Sequence, residues 1–237
     1  PCDIINCFFA NLFVPITAII DQGFTETSLI KGCKKVGPTS RSFGHLWGWS
    51  RLTIEDCDFQ DLTMAVGENP WFLRADKLAW NTQMNISPSI FSAAVVRDVI
   101  VKNNTFGNTN GVRKQNWVVL LTSNGGEISN VTFAGNTFHD MVTTIGALSI
   151  NAGGGPISDV QIVGNVFSGT KTRTGVEIFG ASASKVLVSG NTWLDTFDTV
   201  ERFPAVLLRG RTTGCSIIGN DYRERGHPQL TTVANDA

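Results

Sequence analysis

Charge is scarce in this chain. Charged residues make up 16% of its 237 positions, against roughly a quarter in an ordinary globular protein, and they cancel to a net charge of −1. Such a chain has no strong field to recruit nucleic acid or an anionic membrane, so neither is expected as a partner. Long apolar runs are missing as well. Nothing approaches the roughly 18 residues of a membrane span, and no basic-then-apolar leader opens the sequence. The three histidines, His45, His139 and His227, are scattered; no zinc site is expected from them. There is no phosphate loop and no C-x-x-C pair. No cofactor is expected, with calcium on loop carboxylates the one ion left open.

What is present is a repeat. Val99-Ile100-Val101-Lys102-Asn103-Asn104-Thr105-Phe106 follows the template apolar, any, apolar, any, any, Asn or Cys, any, aromatic. Residues 131–138, 160–167, 186–193 and 215–222 repeat it, and 2–9 and 52–59 do so with Cys7 and Cys57 in place of Asn. Residues 28–35 fit more poorly, with Cys33 there and Lys35 at the aromatic place. The marker positions 7, 33, 57, 104, 136, 165, 191 and 220 are spaced by 26, 24, 47, 32, 29, 26 and 29 residues. A period in the twenties with two-residue alternation inside each unit means stacked β-strands. The 47-residue gap holds one long insertion or a disguised extra coil.

Stacking dictates what meets what. Layers about 4.8 Å apart put like positions of successive coils on one another. Val99, Val131, Val160, Val186 and Cys215 form one predicted apolar column, and Phe106, Phe138, Phe167, Trp193 and Tyr222 an aromatic one. Asn104, Asn136, Asn165, Asn191 and Asn220 form an amide ladder at a sharp bend, where Asn tolerates the left-handed backbone and its amide satisfies buried groups. Cys7, Cys33 and Cys57 pack without that bond, so their coils are expected to be looser. The five cysteines are read as small buried hydrophobes. Side chains stacked in parallel fit the disulfide dihedral poorly.

These segments resemble the right-handed parallel β-helix superfamily of pectate lyases, polygalacturonases and phage tailspikes, over nearly the whole chain. The resemblance implies an all-β right-handed solenoid of about eight coils over residues 1–227, with an internal Asn/Cys ladder, a loop insertion at 62–88 and a tail at 228–237. The opening residues already fit the repeat. A solenoid that starts mid-coil leaves its first core layer uncovered, so a fragment, a processed product or one part of an assembly is expected.

The superfamily implies three strands per coil, with variable loops leading into the first and ligands lying over the sheet those first strands form. Here the loops are 107–116, 139–146, 168–174 and 195–203, leading into strands within 118–122, 147–151, 175–179 and 205–209. Alternation turns Val119, Leu121, Leu148, Ile150, Val176, Ile178, Val206 and Leu208 inward and Leu120, Thr122, Ser149, Asn151, Glu177, Phe179, Leu207 and Arg209 outward. Asp21, His45 and Trp47 extend the outward row. Aromatic faces suit pyranose rings, and amides and charges suit hydroxyls and carboxylates, so Asn151, Thr122, Phe179, Trp47, His45, Lys171 and Arg173 are candidate substrate-binding residues.

Glu177 is the acid that stands out, mid-strand in Val176-Glu177-Ile178-Phe179, with Arg209 one coil on. Glu177 and Arg209, with loop acids Asp140 and Asp195 (or Asp198), are candidate catalytic groups. Glycoside hydrolysis needs two carboxylates about 5 to 9.5 Å apart; elimination needs a base and neutralisation of a uronate carboxylate. The competing account of Glu177 and Arg209 is a surface ion pair worth under about 1 kcal/mol. Arg202-Phe203-Pro204 with Arg209 approaches the Arg-x-Pro-x-x-Arg stretch of pectate lyases, but the second Arg stands two residues too far along, and polygalacturonase and epimerase signatures are missing. Trp71 and Trp80 in the insertion suit a glycan wall or a subunit interface. The expected function is polysaccharide binding and cleavage by a secreted or virion-surface protein, with a homotrimer or larger assembly as a further partner state. The alternative is a non-catalytic structural or adhesive β-helix.

Overall fold

A computed structural model describes residues 2–10, 16–19, 26–36, 44–47, 49–60, 84–87, 95–107, 115–124, 126–140, 143–169, 174–180, 182–194, 205–223 and 231–234. Residues 16–19, 36, 44–47, 84–87, 115–122, 124, 143–146, 174 and 231–234 are described through the backbone alone. Every element among the described residues is a strand, and the chain is an all-β parallel solenoid. It has three parallel sheets of eight strands each. The first sheet carries the apolar half of the repeat, as in Val95–Lys102, Glu127–Ala134, Ile157–Val163 and Ala183–Ser189. The second carries the aromatic position, in three-residue strands such as Thr105–Gly107, Thr137–His139 and Val166–Ser168. The third comprises Ile16–Ile19, Gly44–Trp47, Met84–Ser87, Gln115–Asn124, Thr143–Gly154, Thr174–Phe179, Val206–Arg209 and Thr231–Ala234.

The columns stand in the register that the repeat demands. Val99 pairs with Val131, Val131 with Val160 and Val160 with Val186, all at or below 1% exposure. In the second sheet Phe59, Phe106, Phe138, Phe167 and Trp193 stack with ring centroids 4.8–5.2 Å apart. Each fully buried ring contributes about 2–3 kcal/mol by transfer from water, and stacked pairs add about 0.5–1.5 kcal/mol each.

The amide ladder is fully bonded. Asn104 donates from its backbone N and its Nδ2 to Asn136 Oδ1, both at 3.0 Å. Asn136 does the same to Asn165, Asn165 to Asn191 and Asn191 to Asn220. The second Nδ2 proton of each goes to a carbonyl of the preceding coil, as from Asn136 to Val101 at 2.9 Å. Buried amides that satisfy one another this way leave no desolvated group uncompensated.

Several expectations are corrected. The left-handed backbone falls on the residue before each ladder position, Asn6, Gly32, Asp56, Asn103, Gly135, Gly164, Gly190 and Gly219, so the ladder side chain can point inward from ordinary backbone. The ladder does not stop at the cysteines: Cys57 N donates to Asn104 Oδ1 at 2.9 Å, and Cys33 N to Cys57 Sγ at 3.4 Å. All five cysteines are free thiols, but only Cys33 and Cys57 are buried, and Cys2 is exposed. The 47-residue gap hides no extra coil, since the strand Leu52–Glu55 pairs directly with Val95–Lys102. Within the expected insertion, Met84–Ser87 is a third-sheet strand. Within the expected tail, Thr231–Ala234 pairs with Val206–Arg209.

Candidate functional site

The third sheet is almost free of charge. Its eight strands contain one acid, Glu177, and one Lys or Arg, Arg209. Strand register gathers the candidate residues into two adjacent columns. One runs His45, Asn85, Leu120, Ser149, Glu177, Leu207. The other contains Trp47 paired with Ser87, and Thr122, Asn151, Phe179 and Arg209 in succession. The side chains of His45, Trp47 and Thr122 lie outside the described residues, as do Asp21, Asp195, Asp198, Lys171, Arg173, Trp71 and Trp80 entirely.

The alternation holds, with Leu148, Ile150, Val176 and Ile178 all at 0% exposure. The outward column between them is covered too: Ser149, Glu177 and Leu207 are 1%, 5% and 9% exposed. Among the described residues, the neighbouring column is less covered. Phe179 is 36% exposed, and Asn151 and Arg209 are half-buried. Phe179 and Arg209 close their strands directly before Gly180 and Gly210, whose left-handed backbone (φ 107° and 79°) turns the chain toward the first sheet. That places both side chains at the rim of the third.

Glu177 is held from both sides. Ser149, its register partner, donates from Oγ to Oε2 at 3.4 Å, and Arg209 donates from Nη1 to Oε1 at 3.3 Å. The Arg209 guanidinium also lies 5.7 Å from the Phe179 ring centroid, within cation–π range. The surface-pair account is thereby corrected: the Glu177 side chain is 6% exposed against 39% for Arg209, so its charge is desolvated and depends on its partners. Asn151 Oδ1 accepts from Gly153 N at 3.0 Å, which fixes the amide at the strand end.

Asp140 stands elsewhere, directly after the second-sheet strand Thr137–His139. Its side chain is 70% exposed and lies 2.9 Å from His139 Nδ1. The structure thus brings Glu177, Arg209, Phe179 and Asn151 together and sets Asp140 just past the end of a second-sheet strand. Sequence reasoning placed Ser149 on the outer face but assigned it no role. The signal was available, since Leu148-Ser149-Ile150 aligns with Val176-Glu177-Ile178 and puts the hydroxyl directly against the carboxylate.

No protein-family model matches the chain, and no curated protein matches it. Among the described residues, no group of three or more His, Cys, Asp or Glu is placed to hold a metal ion, and no helix is long and apolar enough to cross a membrane.

Proposed function

We propose that the outer face of the third sheet is the polysaccharide-binding surface of an extracellular protein, and that Glu177 cleaves the bound chain, by hydrolysis or elimination. One observation carries the reading: the only acid and the only Lys or Arg on the strands of this sheet are in contact, beside an exposed aromatic ring. The resemblance to pectate lyases and tailspikes supports the same face.

In a hydrolysis, Glu177 takes the base or nucleophile role, because both of its oxygens accept hydrogen bonds. The proton for the leaving oxygen comes from a loop acid, Asp195 by the sequence reading. The glycosidic C–O bond breaks, and water supplies the new C–O bond at the anomeric carbon. Phe179 stacks on a sugar ring, and Arg209 keeps the carboxylate aimed.

The test is digestion of a panel of neutral and uronate polysaccharides. New reducing ends report cleavage, and the ultraviolet absorbance of unsaturated uronate ends identifies elimination. Wild-type protein is expected to cleave, and Glu177→Gln is expected to lose at least about two orders of magnitude in rate. Binding without cleavage by any folded form removes the catalytic part of the proposal.

A second reading, a non-catalytic structural or adhesive β-helix, draws on the same pair. A carboxylate that is 5% exposed with a donor on each oxygen is also what a purely structural buried ion pair looks like.

A further inference from the structure

We infer that the glycan is uncharged, so that cleavage on this face is hydrolysis. The inference rests on the proposal above and narrows it.

A polyuronate carries a carboxylate on every sugar. A face built for it presents cations along the ligand track, because an anion loses its hydration on binding and needs opposite charge in return. The strands of the third sheet offer one such cation, Arg209; Lys171 and Arg173, before the strand Thr174–Phe179, lie outside the described residues. Arg209 pairs with Glu177 at 3.3 Å, and its guanidinium lies 5.7 Å from the Phe179 ring centroid. Glu177 and Arg209 cancel, leaving the strands with no net charge from Asp, Glu, Lys or Arg. A uronate next to Arg209 would also stand beside the Glu177 carboxylate, and like charges a few ångströms apart in a poorly solvated site repel one another.

What the face does present suits hydroxyl-bearing rings. Phe179 is 36% exposed and gives an apolar surface. Asn151 precedes it in the same column, half-buried beside it. Amides and hydroxyls exchange hydrogen bonds with neutral sugars at no cost in charge desolvation. The chemistry follows from the ligand. β-Elimination removes a proton made acidic by an adjacent carboxyl group, and a neutral sugar has none. Water addition across the glycosidic bond needs no such group and no further reactant.

The experiment is affinity electrophoresis of the full chain through gels containing neutral glucan, mannan, galactan or xylan, and in parallel polygalacturonate or alginate, at low and high salt. Retardation by a neutral polymer that is unchanged by salt, and at least tenfold weaker for Phe179→Ala, supports the inference. A Phe179→Leu variant, which keeps the apolar bulk, tests whether the ring itself is read. Retardation by uronates alone, weakened by salt, overturns the inference while the glycan-binding proposal stands. Retardation by no polymer overturns that proposal as well.

Discussion

The indole of Trp193 lies 5.2 Å from the ring of Phe167 and within 2° of parallel to it. This pair closes a run of four stacked pairs that begins at Phe59. The indole fits because residue 175 has no side chain: a Cβ there would run into Trp193 Nε1 and lie 2.9 Å from the Ala205 carbonyl oxygen. Gly175→Ala should therefore displace the indole and cost about 1–3 kcal/mol by overpacking. Urea unfolding followed by tryptophan fluorescence measures both effects; unchanged stability and emission would contradict the packing account.

The ladder makes opposite predictions for removing and adding an amide. Asn136→Leu strands the Nδ2 and backbone N of Asn104 and the Val101 carbonyl, and at about 1–3 kcal/mol per orphaned buried group it should approach unfolding the chain. Cys57→Asn should add to the ladder. Its amide oxygen takes over the bond from Cys33 N, and its Nδ2 reaches toward Asn104 Oδ1 and the Ile30 carbonyl, which Cys57 Sγ now faces at 3.8 Å. A gain of about 1 kcal/mol in chemical denaturation is expected. A loss would mean that the first coils cannot close on an amide.

Lys35 occupies the aromatic column between Phe9 and Phe59. It is 0% exposed, and its Nζ donates to the Gln60 carbonyl at 2.7 Å. An ammonium group is costly to bury even when bonded, while Met has similar length and no charge. Lys35→Met should raise the melting temperature, by an amount equivalent to about 1 kcal/mol. A lower melting temperature would show that the charge is needed.

On the outer face of the first sheet, Glu55 lies 2.7 Å from both Lys31 and Lys102. The hydrogen bond from Lys102, then that from Lys31, holds its carboxyl below the ordinary 4.5. The bond to Glu55 in turn raises Lys31 above 10.5. A carboxyl lowered on folding contributes stability in full above its unfolded value and loses it as pH falls through the folded one. A raised ammonium contributes fully below its unfolded value and loses it as pH rises through the folded one. Glu55→Gln should thus lower the melting temperature at pH 7 and flatten both the acid limb below about 4.5 and the alkaline limb above about 10.5. High salt should shrink the difference. A melting curve against pH that is parallel to wild type would refute this.

Most of the fold could be read because a stacked repeat turns sequence period into spatial register. Val99 and Val131 stand 32 residues apart and touch for the same reason that Phe106 and Phe138 do. Lys35 was harder to read, because a lysine at a core position looks like a break in the pattern; here the column absorbs it. The two site columns were legible from the same alternation. The burial of Glu177 and its bond to Ser149 were not, because alternation assigns a side chain to a face and says nothing of whether that face is covered.

Pulled along its axis, the molecule is a set of joints in series, since the inter-coil hydrogen bonds run along that direction. From Asn104 to Asn220 each joint carries two ladder bonds in addition to its sheet bonds. Between Cys33 and Cys57 the corresponding link is one amide on a sulfur at 3.4 Å. A series parts at its weakest member, so tension would open the cysteine-bearing coils first and leave the Asn-bearing remainder, with Glu177 and Arg209, intact under load.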